Sequence, residues 1–226
     1  ASEAPAVVGL YKRLQPMHLY LQKRREKCPP IAKTPAHSEL QALGHLLEPA
    51  LKLIFTMRTG IEFTDREMGV WRSHQYPFML ASPDSGLTAP AFLQCKTTHP
   101  RQAYRSGIER PRALFGDGET LPLPWIVQGQ QEMATMETTK HYFAVFVSTI
   151  DIRLFVMERN DDLIEGVAAR ERELWERIEN GDPPEYDFNH PSTYDLVREQ
   201  CEHTVETRVK ALDTTTQQRW AAVKRL

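Results

Sequence analysis

Asp84, Gln94 and Lys96 are the residues whose types and spacing best suit metal-assisted hydrolysis. Side chains alternate between the two faces of a strand, so a strand over 91–97 points Gln94 and Lys96 the same way. Asp84 lies in a turn before that strand and can meet them at its end. Two carboxylates at one point suit Mg²⁺, and a lysine beside them can position or deprotonate a water. If position 94 were an acid, it would supply the second carboxylate, but the residue there is Gln94.

A helix beginning near Ser38 brings a further carboxylate, Glu48, into reach of this set. Ser38 and Gln41 have the spacing of a capping box. Pro49 predicts a kink or a restart, and Gly60 predicts the end of the helix. An acid on an apolar helix needs a reason, although Glu48 can also lie on the wet side of a kinked helix. The apolar positions recur at steps of three and four: Leu40, Leu43, Leu47, Leu51 and Ile54.

The remaining patterns predict a mixed α/β domain with a central sheet. Strands are predicted at 67–73, 77–82 and 91–97, with Pro83–Gly86 as a turn between the last two. Further along the chain, helices are predicted at 123–137, 160–180 and 192–212, and a hairpin at 141–149 and 152–158.

A segment rich in proline and glycine at 98–121 predicts a long loop, and such loops are often functional. Arg101 and Arg105 predict contacts with DNA phosphates, and Tyr104 between them is the best-placed aromatic for stacking on a base. Residues 1–35 carry seven lysines and arginines against two glutamates, and residues 158–188 carry eleven acids against four arginines. This asymmetry can orient a polyanion toward one face, or it marks two solvated surfaces.

The composition is that of a globular protein and excludes several other classes. Hydrophobic residues make up 41% of the 226 residues, charged residues 26%, and the net charge is −2. No apolar run approaches the roughly 20 residues that a membrane span needs. No signal peptide is found either, so we expect a soluble cytoplasmic protein without membrane partners. Three scattered cysteines argue against a disulfide framework or a CxxC metal site.

Several motifs, in order along the chain, resemble those of the lambda exonuclease and related viral recombinase nucleases of the PD-(D/E)xK superfamily. Each motif is weak alone, and the set is specific. The motifs are an N-terminal Ala1-Ser2-Glu3, a helix over Ala42–Glu48 followed by Thr59-Gly60, a turn Ser82-Pro83-Asp84 with the family's gap to Leu93–Lys96, and a helix opening with Trp125–Gln130.

The resemblance implies a PD-(D/E)xK nuclease core, with a central mixed β-sheet flanked by helices. It also implies a Mg²⁺-dependent exonuclease, with Mn²⁺ able to substitute, that digests one strand of duplex DNA from its 5′ end. The family leaves a 3′ tail for a single-strand annealing partner, and its best-known member is a ring-shaped homotrimer threaded by DNA. The chain would then work in a bacterial host or a phage-infected cell.

Roles for individual residues follow from the same resemblance. Lys96 and Gln128 would manage the nucleophilic water, and Ser2 would lie near the bound 5′ end. An upstream arginine that holds the 5′ phosphate in the family has no counterpart here, so we expect a truncated start. The implied metal ligands are Asp84, Gln94, the main-chain carbonyl of Cys95, and Glu48.

Gln94 departs from the family, which has an acid at this position. The amide is neutral, so the site loses one negative charge and a strong ligand, and we expect an inactive chain. Gln94 is either an engineered substitution that traps a DNA complex or a natural loss of activity. Engineering is favoured because every other motif position is intact.

The resemblance runs to about residue 180, so we expect an exonuclease domain over 1–190 and a helical extension over 191–226. Two other interpretations stay open. The chain can be a naturally inactive DNA-binding module of the same fold, or an α/β interaction protein whose motif matches are coincidental. The substitution Gln94→Glu distinguishes a poised nuclease from the naturally inactive module, because only the nuclease would regain activity.

Overall fold

The protein is a mixed α/β fold in which helices cover both faces of a central sheet, as expected from the sequence. The computed structural model describes residues 1–26, 28–29, 35–64, 69–98, 121–148 and 151–201. Six helices are described: α1 (Ala4–Val7), α2 (Pro16–Arg24), α3 (Pro35–Thr59), α4 (Leu123–Met136), α5 (Asp161–Asn180) and α6 (Thr193–Cys201).

Seven strands are described in the same ranges, and five of them form the main sheet. They are β1 (Phe63–Thr64), β2 (Trp71–Arg72), β3 (Leu80–Ala81), β4 (Ser85–Leu87), β5 (Ala91–Thr97), β6 (Lys140–Ser148) and β7 (Asp151–Glu158). The sheet order is β1-β4-β5-β6-β7, in which β5 and β6 are parallel and the other pairs are antiparallel. Strands β2 and β3 form a separate two-stranded ribbon. A parallel pair needs a crossover connection, and α4 lies within the one between β5 and β6.

Helices α3 and α4 lie on opposite faces of this sheet, which places them on either side of β5. Leu51 and Phe55 of α3 pack against Leu93 and Cys95. Trp125 and Ile126 of α4 pack against buried residues of β6 and β7, among them Phe143. Because successive side chains of β5 alternate, Leu93 and Cys95 face α3, and Gln94 and Lys96 face α4.

Gly129 allows α4 to lie close to the sheet. A Cβ atom at this position would come within 2.4 Å of the Met157 methyl group and 3.0 Å of the Phe143 ring. The Phe143 side chain is completely buried, so it has little room to move. A Cβ at Gly129 would therefore displace the flexible end of Met157 and require α4 or the Phe143 ring to shift by a few tenths of an ångström.

The helices at 123–137 and 160–180 and the hairpin after residue 140 are confirmed, with small shifts of their ends. Asn160 caps α5 by accepting from the Leu163 N–H at 3.0 Å, and Gly181 follows the helix with φ +71°. Gly60 likewise follows α3 with φ +72°, as predicted. Helix α6 occupies the first part of the helix predicted at 192–212, and residues 202–226 lie outside the described ranges.

The cap at Ser38 and the restart at Pro49 that were predicted for α3 are wrong, and the kink predicted as the alternative to a restart stays a prediction. The helix begins at Pro35, so Ser38 lies inside its first turns and does not cap it. Proline suits the first helical turn because its missing N–H has no intrahelical partner there. Pro49 lies within one helix that continues to Thr59, so the chain does not restart at this residue.

The predicted turn at Pro83–Gly86 is also wrong, because Ser85 to Leu87 form β4, between β1 and β5 in the sheet. The small residues Ser85 and Gly86 are typical of turns, but here they are buried in the sheet interior. The chain instead turns at residues 88–90. The strands predicted at 67–73 and 77–82 are shortened to β2 and β3, and residues 65–68 lie outside the described ranges.

Candidate active site

The pairing of β4 with β5 brings Asp84 to Gln94. Ser85 pairs with Leu93 and Gly86 with Phe92, so the residue before β4 lies opposite position 94. One Asp84 oxygen, Oδ2, accepts from the Gln94 side-chain amide at 2.7 Å and from the Cys95 backbone N–H at 2.6 Å. Asp84 and Gln94 therefore meet as the sequence predicts, although through a strand register and not through a turn.

The side chain of Gln94 is buried and only partly satisfied. It is 7% exposed, and its Nε2 donates to Asp84. Its Oε1 is buried and has no hydrogen-bond partner among the residues that the structure describes. A buried acceptor without a donor is energetically costly, so an oxygen atom is available beside the Asp84 carboxylate.

Lys96 lies on the same face of β5 as Gln94 and reaches toward α4. Its ammonium nitrogen donates to Gln128 Oε1 at 2.9 Å and lies 6.0 Å from the centre of the Trp125 ring. The α4 helix therefore supplies Gln128 where the strand supplies Lys96. The structure brings Asp84, Gln94, Lys96 and Gln128 together.

Two buried residues continue the contacts of Gln128 into the interior. Gln128 Nε2 donates to Glu132 Oε1 at 2.8 Å, one turn further along α4. Glu132 Oε2 lies 2.5 Å from His141 Nε2, on β6. The ring of His141 stacks on Phe143 with a centroid distance of 4.7 Å.

Helix α3 contributes Glu48 and Lys52 from the opposite face of β5. Glu48 is half-buried, its Oε1 lies 3.1 Å from His45 Nδ1, and its backbone carbonyl accepts from the Cys95 thiol at 4.0 Å. Lys52 donates from Nζ to the backbone carbonyl of Asp84 at 2.7 Å. Lys52 therefore holds the segment that carries Asp84, a contact that the sequence alone does not indicate.

The electrostatics of the cluster reflect buried charges. Burial raises the pKa of the Asp84 carboxyl to about 6, and the negative charge of Glu48 adds to the rise, while the Cys95 N–H and the Lys96 charge oppose it. Burial also lowers the pKa of Lys96, although the negative charges of Glu132 and Asp84 oppose this. Burial raises the pKa of the Cys95 thiol to about 12, so its sulfur stays protonated at neutral pH.

Burial alone would raise the pKa of Glu132, the buried acid next to Gln128. The hydrogen bond and the charge of His141, with the Gln128 amide and the Lys96 charge, together lower it below its ordinary value. Glu132 therefore stays ionised inside the protein.

The N-terminal part of the chain matches a known family. A family model of the YqaJ-like viral recombinase domain matches residues 1–141, more than half of the chain. The chain belongs to the YqaJ-like viral recombinase family. The uncharacterized protein YqaJ of Bacillus subtilis (strain 168) is 30% identical over 190 residues, which cover 82% of this chain and 55% of that protein. The chain thus spans about half the length of the curated relative that it matches.

Solved structures of exonucleases share the fold of this YqaJ-like chain. LHK-Exo in complex with dAMP superposes with a TM-score of 0.60 at 16% identity, covering 90% of this chain and 93% of that one. The alkaline exonuclease LHK-Exo from Laribacter hongkongensis gives 0.59 at 17% identity, covering 89% and 92%. A phage-related exonuclease from Haemophilus somnus 129PT gives 0.54 at 11% identity, covering 79% and 92%. The expected PD-(D/E)xK exonuclease fold and the resemblance to viral recombinases are confirmed.

The sequence also predicts DNA-contacting residues in the YqaJ-like domain. Arg101, Tyr104 and Arg105 lie outside the described residues. Ser2 precedes α1, and its backbone carbonyl accepts from the Tyr11 hydroxyl at 3.4 Å. The basic N-terminal segment contacts the acidic helix α5, since Arg24 donates to the Ile178 carbonyl at 2.8 Å. The basic N-terminal segment and the acidic helix α5 are therefore adjacent.

Besides Lys52, the cluster contains Glu132 and His141, which the sequence analysis did not predict. The spacing of Gln128 and Glu132 places both on one side of α4, which is a visible signal. His141 carries no such signal, because only the tertiary fold brings β6 to α4. Among the described residues, no three His, Cys, Asp or Glu side chains gather closely enough to hold a metal ion. His, Cys, Asp and Glu side chains do not include two of the predicted ligands, the amide oxygen of Gln94 and the main-chain carbonyl of Cys95.

Within the ranges that the structure describes, no helix is both long enough and apolar enough to cross a membrane.

Proposed function

We propose that this chain carries the catalytic domain of a metal-dependent exonuclease that digests one strand of duplex DNA from the 5′ end. The observation that carries the proposal is the register of β4 on β5, which joins Asp84 to Gln94 two residues before Lys96. Membership of a viral recombinase family and a shared exonuclease fold support a nuclease acting in phage-type recombination. Neither the fold nor the family name alone specifies a substrate.

The residues around Asp84 suit a hard divalent cation, and we propose Mg²⁺ with Mn²⁺ as a substitute. The candidate donors are all oxygen atoms, from Asp84, Gln94, Glu48 and the Cys95 main-chain carbonyl, and Mg²⁺ prefers oxygen ligands. Two features support the fit: the unpaired Oε1 of Gln94 and the burial that raises the pKa of Asp84 to about 6. A bound cation would stabilise the negative charge of the phosphate and make a bound water more acidic.

Lys96 and Gln128 would hold and orient the attacking water. The Lys96 ammonium offsets negative charge at the phosphate, and its lowered pKa eases proton release. Gln128 keeps Lys96 in place by accepting a hydrogen bond from its ammonium group. Because both side chains belong to regular elements, their separation is held by the packing of α4 on the sheet.

The proposal includes inactivity of the chain as its sequence stands, because of Gln94. The amide supplies no negative charge, and its Nε2 donates to Asp84 Oδ2. A carboxylate oxygen that accepts two hydrogen bonds is less available to a cation. A glutamate at position 94 would add a charged ligand and would leave Asp84 free to bind the same ion.

We also propose the partners that the family resemblance implies: ends of double-stranded DNA, a single-strand annealing protein, and copies of the same chain in a ring-shaped trimer. Light scattering on the purified protein tests the last of these. A monomer at concentrations above those used for cleavage would contradict the trimer and leave the nuclease proposal intact.

The decisive experiment measures cleavage by the Gln94→Glu variant. Linear duplex DNA with 5′ phosphates is incubated with EDTA, Mg²⁺ or Mn²⁺, and the polarity of digestion is followed with strand-specific labels. We expect loss of the 5′-ended strand only with a metal ion, and no loss with the parent chain. Gln130→Glu, which places a new acid elsewhere on α4, is the matched control and should stay inactive.

Two other outcomes would change the conclusion. A Gln94→Glu protein that binds duplex ends but cleaves nothing with Mn²⁺ would support a DNA-binding module of the same fold. A parent chain that already cleaves with Mg²⁺ would contradict the predicted inactivity and leave the nuclease assignment in place.

A further inference from the structure

Behind Lys96 and Gln128, a chain of polar contacts continues to Glu132 and His141, two residues that the proposed reaction does not itself use. Gln128 leads to Glu132, and Glu132 leads to His141, with contacts of 2.8 and 2.5 Å. Glu132 is 1% exposed and His141 is completely buried. Polar groups are rarely buried this deeply without a partner, and here both belong to one network that ends at Lys96.

The chemistry of these groups determines which way the Gln128 amide points. A carboxylate can only accept hydrogen bonds, so the Glu132 Oε1 must face the Nε2 of Gln128. The oxygen of the same amide then faces the Lys96 ammonium, which can only donate. The reversed amide would place a donor against a donor and an acceptor against an acceptor.

His141 in turn holds Glu132. Its Nε2 meets Glu132 Oε2, and its Nδ1 lies 3.0 Å from the Tyr142 carbonyl. Stacking on the buried Phe143 ring fixes the plane of the imidazole. Carboxylate and imidazole therefore restrict each other's rotation, as outer partners do around ligands in metalloenzymes.

We propose that Glu132 and His141 are positioning residues, which fix the Gln128 amide so that its oxygen holds the Lys96 ammonium beside Asp84 and Gln94. The effect on cleavage rests on the proposed nuclease function. The effect on the orientation of Gln128 does not, so the two can fail separately.

Gln130 provides a matched control on the same helix. It is 2% exposed, its Nε2 donates to the Glu158 carbonyl, and its Oε1 accepts from the Asn160 backbone N–H. These contacts tie α4 to the end of β7, away from Lys96. Gln130→Leu should lower the thermal stability and leave the rate of cleavage per folded molecule unchanged.

Two changes of the buried pair separate positioning from folding. Glu132→Gln keeps an oxygen for Gln128 and offers an N–H to His141, so every hydrogen bond survives without the charge. The double variant Glu132→Leu with His141→Phe removes both partners together. Replacing a buried ion pair by apolar residues of similar volume is often neutral for stability, and the new ring can stack on Phe143.

The first measurement is kinetic and uses the Gln94→Glu background with 5′-phosphorylated linear duplex. We expect kcat of the double variant to fall about 10- to 100-fold with KM for DNA unchanged, the range typical of outer positioning groups. Glu132→Gln should retain kcat within a few-fold. A folded double variant with parental kcat would overturn the proposal.

The second measurement does not need activity. Nitrogen-15 NMR of the parent chain should show slowly exchanging side-chain amide protons for Gln128, which become fast in the double variant and stay slow in Glu132→Gln. A freely exchanging Gln128 amide in the parent would overturn the proposal even if the double variant does not fold. If Gln94→Glu never cleaves, the nuclease function fails, and this amide measurement alone decides whether the buried pair orients Gln128.

Discussion

Gln94→Glu should make the stability of this protein depend on Mg²⁺, which tests the metal site without measuring catalysis. In the parent chain the Gln94 amide donates to the Asp84 carboxylate at 2.7 Å. The substitution replaces that donor with a second acid. Metal-free protein then holds two carboxyl groups in contact, where the parent holds a hydrogen-bonded pair.

The magnitude follows from the geometry. A hydrogen bond to a charged group contributes about 1.5–3 kcal/mol, and two like charges about 4 Å apart repel by about 4 kcal/mol at an effective dielectric constant near 20. The carboxyl pair relieves part of this repulsion by retaining a proton. We therefore expect a loss of about 3 kcal/mol in EDTA, which corresponds to a fall in Tm of roughly 6–12 °C for a chain of this length.

Mg²⁺ should restore most of that loss in the variant. A ligand at 100 times its Kd stabilises the folded state by about 2.7 kcal/mol. The assay is thermal unfolding, followed by circular dichroism, across a Mg²⁺ titration for three proteins: the parent, Gln94→Glu and Gln130→Glu. The last variant buries an acid away from Asp84, so it should lose stability without recovering it in Mg²⁺.

The reasoning would be refuted if Gln94→Glu unfolded at the parental temperature in EDTA. It would equally be refuted if Mg²⁺ stabilised Gln94→Glu no more than Gln130→Glu. The first result would mean that the Asp84 contact contributes little to folding, and the second that no cation binds between the two acids.

Three further predictions concern charge, catalysis and packing. Burial raises the pKa of Asp84 from 3.8 to about 6, so the folded state binds the carboxyl proton more tightly than the unfolded chain does. Ionisation of this carboxyl therefore lowers the free energy of unfolding as the pH rises from 3.8 to about 6. Asp84→Asn should thus stabilise the metal-free protein at pH 8 by roughly 3 kcal/mol and have little effect below pH 3.8, which pH-dependent denaturant unfolding measures. Lys96→Ala in the Gln94→Glu background should lower kcat by about 100-fold or more while duplex affinity, measured by fluorescence anisotropy, falls only modestly. Gly129→Ala should lower the Tm by about 2–4 °C through overpacking, whereas Gly166→Ala, which meets open space on α5, should raise it by a similar amount.

The parts of the fold with strong local patterns could be predicted from the sequence. The helices over 123–136 and 161–180 have apolar positions at helical spacing, and the last two strands alternate around a short connection. Strand β4 could not be predicted in this way. Ser85 and Gly86 have the composition of a turn, and only their place between β1 and β5 makes them a strand.

The candidate site was predictable to the extent that it follows a single strand. Gln94 and Lys96 share a face because strands alternate, and Asp84 precedes them at a distance that one short hairpin spans. Contacts across elements needed the structure. His141 reaches Glu132 only because β6 runs parallel to β5 and the connection that joins these strands contains α4. No local sequence pattern encodes this arrangement.

The position of α4 explains why the core and the candidate site depend on each other. Consecutive residues on a helix point about 100° apart, so Gly129 can meet Phe143 while its neighbour Gln128 faces Lys96. The close approach at Gly129 is what brings the Gln128 amide within 2.9 Å of the lysine. A methyl group at Gly129 would displace α4 by a few tenths of an ångström or more, and this would lengthen the contact without altering any site residue. Because catalytic geometry tolerates only about 0.5 Å of error, packing between α4 and the sheet should set the rate of a restored enzyme.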